Sequence, residues 1–384
     1  MRFEFATATR IVFGPGALRE VGPLAREFGP RALVVTGADA RRAEPLQTVL
    51  REHGLSSTTY STRGEPEIET VRQGVALAKQ ENCSLVIAFG GGSALDAGKA
   101  IAAMLTNPGE LLDYLEVIGR GQALTKPSTP FFAIPTTAGT GTEVTRNAVL
   151  ASPRHQVKVS LRSPLMLPKV AVIDPELTYD LPPAVTASTG LDALTQLIEP
   201  YLSSRASPMT DALCVDGIRR VARSLRTAFG NSRDEAARTD MSLASLQGGL
   251  ALANAGLGAV HGFAGPIGGQ FPAPHGAVCA ALLPHVMKTN LNALRLRQPA
   301  AETLRRFDEV ARLVTSSPAA NAEAGIEWVR RLVADLQIPP LRHYGLSPQH
   351  TADLVSKASQ ASSMRANPIA LTPAEMAGIL ERAL

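Results

Sequence analysis

Leu85-Val86-Ile87-Ala88-Phe89-Gly90-Gly91-Gly92-Ser93-Ala94-Leu95-Asp96-Ala97-Gly98-Lys99 decides the fold. Leu85 to Phe89 is an unbroken apolar run, as a strand buried on both faces requires, and a helical pattern follows from Ala94 to Leu105. Three glycines and a serine stand between them. A strand, a glycine turn and a helix start together make a holder for phosphate. Without Cβ atoms the backbone can take positive φ and approach a ligand closely, while the free N–H groups and the positive dipole end of the helix face the anion. Ser93 is placed to cap that helix. The same turn can also be a plain tight connection, and its spacing is not G-x-G-x-x-G, so a dinucleotide here would use a variant of the Rossmann arrangement.

Outward from this stretch, Ala32 to Thr36, Phe131 to Ile134 and Val170 to Ile173 are further short β-rich runs, separated by amphipathic segments. The alternation predicts a parallel sheet with helices on both faces and ligands at the carboxyl ends of the strands. After Leu181-Pro182-Pro183 the β signal nearly vanishes and long Ala/Leu/Arg patterns run to the C-terminus. The expected organisation is therefore a Rossmann-like α/β domain over residues 1–181 and an all-α domain over 182–384.

Two other segments are chemically loaded. Ile134 to Thr145 contains five threonines and two glycines just past an apolar run, which suits a polar ligand and equally describes a solvated loop. Asp192 and Gln196 stand four apart in the helical pattern Gly190 to Tyr201 and project from one face. His261 and His275 follow downstream. A carboxylate and two imidazoles are an ordinary ligand set for a divalent transition metal, weakly completed by an amide oxygen, although each histidine alone also fits a core or capping role.

These motifs, in this order, resemble the iron-containing (group III) alcohol dehydrogenase family over nearly the whole chain. Gly90 to Lys99 resembles its GGGSxxDxxK loop and Pro135 to Thr145 its PTTAGTGTEVT segment. Asp174-Pro175-Glu176-Leu177 and Leu181-Pro182-Pro183 resemble its domain crossover. Gly190 to Leu194, Pro274-His275-Gly276 and Leu283-Pro284-His285 resemble its metal-binding helices. The resemblance implies a dehydroquinate synthase-like architecture and an enzyme moving hydride between NAD(P) and a small alcohol or aldehyde, with a divalent metal in the interdomain cleft. It further implies that Gly91, Gly92 and Ser93 cradle the pyrophosphate, that Thr136, Thr137 and Thr140 line the cofactor, and that Gly37, Thr145 and Lys158 complete the cofactor set. Asp192, Gln196, His261 and His275 would hold Fe2+ or Zn2+. Members are commonly dimers.

The chain departs from the family pattern at three places. Gln196 replaces a histidine ligand, and an amide is neither anionic nor strongly basic. Gly265 replaces a histidine that many members carry near the substrate, so no catalytic acid is assigned. Gly37 follows the strand at Thr36 where NAD-preferring relatives place an aspartate; its absence, with Arg41 and Arg42 nearby and Asp39 beside them, leaves NAD or NADP open with NADP slightly favoured. A metal-independent reductase like the maleylacetate reductases and a non-catalytic NAD(P)-binding relative are the alternatives.

Composition fits an enzyme and excludes other classes. The 384 residues, 45% hydrophobic and 4% aromatic, suffice for two domains. A formal charge of +4 without basic-aromatic runs disfavours nucleic-acid binding. Cys83, Cys214 and Cys279 are scattered in apolar patterns and read as buried thiols of a reducing compartment. Glu4 interrupts Met1-Arg2-Phe3-Glu4-Phe5, which predicts neither a signal peptide nor a membrane span, hence a cytoplasmic location.

Overall fold

The computed structural model describes residues 2–155 and 157–384. They form two compact units: a sheet unit of Ala6–Thr137 and Gly141–Thr178, and a helical unit built on Tyr179–Leu384 that also takes in Ala138–Thr140.

The sheet unit holds β1 (Arg10–Phe13), β2 (Arg31–Thr36), β3 (Ser56–Ser61), β4 (Leu85–Gly90), β5 (Phe131–Pro135), β6 (Asn147–Ser152), β7 (Val157–Arg162) and β8 (Val170–Ile173). Its helices are α1 (Val21–Ala25), α2 (Glu44–Glu52), α3 (Ile68–Gln80), α4 (Gly92–Thr106) and α5 (Leu111–Tyr114). Six strands pair in the order β1-β8-β5-β4-β2-β3, and every pairing is parallel. β6 and β7 form a separate antiparallel hairpin.

The four apolar runs of the sequence are the four interior strands β2, β4, β5 and β8. Interior parallel strands are covered on both faces, so they must be apolar throughout, and β4, β5 and β8 are buried at every position. Side chains alternate between two cores. Leu33, Val35, Val86 and Ala88 pack with Leu95 and Ile101 of α4, whereas Ala32, Val34, Leu85 and Ile87 pack with Leu46 and Leu50 of α2. The edge strands β1 and β3 escape a reading by apolar runs because they are only half buried. β3, Ser56-Ser57-Thr58-Thr59-Tyr60-Ser61, has a loop-like composition and is a strand because its backbone pairs with β2 along its whole length.

The helical unit contains α6 (Pro183–Leu202), α7 (Pro208–Gly230), α8 (Glu235–Ala255), α9 (Ala259–Gln270), α10 (His275–Arg297), α11 (Glu302–Thr315), α12 (Ala322–Asp335), α13 (Thr351–Gln360) and α14 (Pro373–Ala383). One core joins them, with Leu191, Leu194, Val260, Phe263, Leu282 and Leu283 among its members. α6, buried from Gly190 to Leu202, lies at its centre. Among the described residues no single helix is long and apolar enough to cross a membrane.

Candidate functional site

The strand order places a crevice. From β2 the chain runs outward to β3, then crosses back to β4 on the other side of β2 and continues to β5. The helices that follow β2 and β4 therefore cover opposite faces, as the two cores show. Such a switch point opens a crevice at the carboxyl ends of the two strands, the usual ligand site of open α/β sheets. Gly37 leaves β2 at this point, Gly91 leaves β4, and Thr136 and Thr137 leave the neighbouring β5. The glycine turn is half exposed and opens directly into α4, so the unpaired N–H groups of that helix's first turn face outward with its dipole.

Two details of this loop differ from the sequence reading. Ser93 does not cap α4: the cap residue is Gly91, without a side-chain bond, and Ser93 already lies inside the helix. Gly90, Gly91 and Gly92 do not use positive φ. The requirement is one of space, because a Cβ on Gly90 would lie 2.7 Å from Cβ of Ala94 and 3.4 Å from the backbone nitrogen of Gly37. The glycine lets the ends of β2 and β4 approach.

The threonine segment is tied to α4 by a buried polar cluster. Lys99 Nζ donates to the carbonyls of Thr142 and Asn147, both at 2.8 Å, and to the hydroxyl of Thr145 at 3.0 Å. The Thr142 hydroxyl donates to Asp96 at 2.6 Å, and the Val149 N–H reaches the other Asp96 oxygen at 3.1 Å. Burial pushes Lys99 down to about 8. Burial likewise pushes the neighbouring Glu143 up to about 7. Thr145, expected at the cofactor, has its hydroxyl committed to this cluster. Lys158, expected with the cofactor set, lies on β7 with its side chain 8% exposed and its Nζ 2.9 Å from Glu65. Thr140 groups with the helical unit. Arg41 is exposed and paired with Asp39 at 2.9 Å.

The helical unit carries a second buried cluster. Asp192 and Gln196 occupy adjacent turns of one face of α6, His261 the start of α9, and His275 the first position of α10. Gly276 allows the close approach: a Cβ there would lie 2.3 Å from the Ser188 carbonyl and 3.3 Å from Cβ of Asp192. His261 Nε2 stands 3.5 Å and His275 Nε2 3.7 Å from Asp192 Oδ1. Cys279 joins them, its Sγ 3.8 Å from His261 Nε2 and 3.7 Å from His275 Nε2. One donor atom from each of these four residues falls within 4.8 Å of all the others.

Nitrogen, oxygen and sulfur donors face one another across this cluster. His261 donates its Nδ1–H to Glu199 at 2.7 Å, a carboxylate that also takes the Val260 N–H. That bond orients the ring and turns Nε2 toward Asp192 and Cys279. Asp192 Oδ1 and Gln196 Oε1 are both buried without a hydrogen-bond partner. Native proteins rarely leave buried polar atoms unanswered, and these two share a helix face beside two imidazole nitrogens, where a cation would answer them. Ionisation points the same way. Burial opposes charge on His275, yet Cys279 and Asp192 outweigh it and lift the ring to about 9. Burial would raise Asp192, but the two imidazoles hold it below the ordinary carboxylate range. The cluster gathers positive charge, and its donor set fits a divalent transition metal. The half-exposed His275 marks its accessible side.

The sequence reading missed Glu199 and Cys279. Glu199 continues the Asp192 and Gln196 face at helical spacing, and Cys279 follows His275 by one turn, so the 3.6-residue period could have found both. Cys279 is buried as expected, but it lies in the cluster rather than in plain apolar packing, and Cys83 is only half buried. His285 does not belong to the cluster. Gly265, one turn beyond His261, faces open space.

Comparison with known proteins gives two family matches that together span most of the chain. One family model, described as "Iron-containing alcohol dehydrogenase", matches residues 8–175. A second, described as "Fe-containing alcohol dehydrogenase family, C-terminal", matches residues 186–384. "Alcohol dehydrogenase 4" of Saccharomyces cerevisiae (strain YJM789) is 36% identical over 377 residues, 97% of this chain and 96% of its own. Among solved structures, a 1,3-propanediol oxidoreductase superposes with a TM-score of 0.93 at 34% identity over 100% of both chains. A sulfoacetaldehyde reductase from Bifidobacterium kashiwanohense in complex with NAD+ does so with a TM-score of 0.87 at 29% identity, over 99% of this chain and 98% of its own.

Proposed function

The chain belongs to the iron-containing alcohol dehydrogenase family, and from that premise we propose that it moves hydride between NAD or NADP and the oxygen-bearing carbon of a small alcohol or aldehyde, aided by a divalent metal. The observation that carries the metal half of this reading is the pair of unanswered buried oxygens on α6, Asp192 Oδ1 and Gln196 Oε1, beside two imidazole nitrogens. Asp192, His261 and His275, with Gln196 as a weak neutral donor, would hold Fe2+ or Zn2+. When bound, the metal supplies Lewis acidity to the substrate oxygen and the nicotinamide supplies the hydride.

The chain's own groups do the rest. The first-turn N–H groups of α4, at Gly92 and Ser93, bind the pyrophosphate, Gly91 lets it approach, and Thr136, Thr137 and Thr140 offer hydroxyls to the cofactor. Glu199 orients the ring of His261. Gly37 places no carboxylate against a ribose 2′-phosphate and leaves open space for one. That keeps NADP slightly favoured, although Asp39 already engages Arg41.

The test is metal content by mass spectrometry on protein purified without chelators, paired with NAD(P)H-linked activity before and after chelation. Near-stoichiometric iron or zinc, with activity lost on chelation and restored by metal, is the expected result. No metal, with activity indifferent to chelator, would transfer the chain to the metal-independent reductases.

A further inference from the structure

Resting on the metal reading above, we propose that Cys279 is itself a metal ligand, its thiolate taking the strong-donor position that Gln196 leaves empty, and that the site is thereby suited to zinc over ferrous iron. Three observations carry this. The first is distance. Bonds of about 2.0–2.1 Å to nitrogen, about 2.0–2.2 Å to carboxylate oxygen and about 2.3 Å to sulfur around a tetrahedral ion put neighbouring donors about 3.3–3.6 Å apart. The four separations that link Asp192, His261, His275 and Cys279 run from 3.5 to 3.8 Å. These four of the six pairs stand within a few tenths of an ångström of tetrahedral spacing, and the other two lie within 4.8 Å.

The second is direction. Cys279 lies four residues after His275 on α10, so both side chains leave one helix face toward the same point. Its buried Sγ lies at hydrogen-bonding range of both imidazole nitrogens of the cluster. The third is charge. Asp192 is the one anionic donor among the other ligands, since Glu199 stands behind His261, and a thiolate supplies a second. Gln196 cannot, because its amide oxygen is neutral. Sulfur ligation with two imidazoles and a carboxylate is softer than an all-nitrogen and oxygen set, which moves the preference toward zinc.

The experiment uses the full chain, stripped of metal by a chelator and reloaded with Co2+ alone. The expected spectrum has visible ligand-field bands and a near-ultraviolet sulfur-to-cobalt charge-transfer band of matching stoichiometry. That near-ultraviolet band should vanish in Cys279→Ser and persist in Gln196→Ala, and zinc affinity should fall on the order of 10–100-fold or more in Cys279→Ser. Cobalt bound with ligand-field bands but no sulfur band in the unmodified chain overturns the proposal while leaving the metal reading intact, and that outcome needs no variant to fold. Failure of the unmodified chain to take up cobalt or zinc overturns both.

Discussion

The Lys99 cluster of the sheet unit and the Asp192 cluster of the helical unit are both buried, polar and built on family motifs, yet they are opposite in one respect. Around Lys99, the ammonium, the Asp96 carboxylate and the Thr142 and Thr145 hydroxyls all answer one another. Around Asp192, the buried Asp192 Oδ1 and Gln196 Oε1 accept no hydrogen bond, and two ring nitrogens stand 3.5 and 3.7 Å from Asp192 Oδ1. A buried network that closes on itself is architecture, because any missing member leaves a desolvated charge behind. One left open by a single cation's worth of charge is a site. Residue type alone does not separate the two, since both contain carboxylates and protonatable groups.

Five variants put the contrast and its surroundings to the test. Lys99→Met should lower stability in denaturant titration by about 3–5 kcal/mol, because Asp96 stays buried without its cation. Metal uptake by the folded fraction should be unchanged. Asp192→Asn should do the reverse, abolishing metal uptake while costing the metal-free fold far less, and equal losses of stability in the two variants would sink the distinction.

Glu143 comes next. Its folded form keeps a proton up to about pH 7, whereas the ordinary value is 4.5. Between those values the native state binds more protons than the unfolded chain, so stability falls as pH rises and the full cost is present above 7. Glu143→Gln should therefore stabilise the protein by on the order of 2–3 kcal/mol at pH 8 and by almost nothing at pH 4. A gain that is flat with pH would mean that burial of the charge is not its origin.

Glu199→Gln keeps the volume but weakens the partner of His261. Metal affinity should drop about 10–100-fold in a chelator competition, with little change in cofactor binding. The smallest effect is expected from Gly37→Asp. Nothing lies within 4 Å of the added Cβ, and the carboxylate should shift the NADP-to-NAD preference about tenfold toward NAD in initial-rate measurements. An unchanged preference would place the ribose elsewhere than at the end of β2.

The interior of the sheet and the glycine turn were legible because each is a local pattern: an apolar run and a loss of Cβ atoms. β3 was not legible, because serines and threonines become a strand only when β2 supplies the hydrogen bonds. Asp192, Gln196, His261 and His275 could be named from residue type and family resemblance. Their relation to one another could not, nor could the commitment of Thr145 to Lys99 and of Lys158 to Glu65.

By itself the sequence determined the local terms: which segments are buried strands, that a helix follows the glycine turn, and that Asp192 and Gln196 share a face. Those follow from backbone geometry and side-chain period, which act over a few residues. Only the tertiary structure decided that the α6 face carrying Asp192, Gln196 and Glu199 meets His261 of α9 and the His275 and Cys279 face of α10. The site is assembled by the packing of three helices, made close by contacts such as Gly276 against Ser188, and no local period encodes a meeting of residues so far apart along the chain.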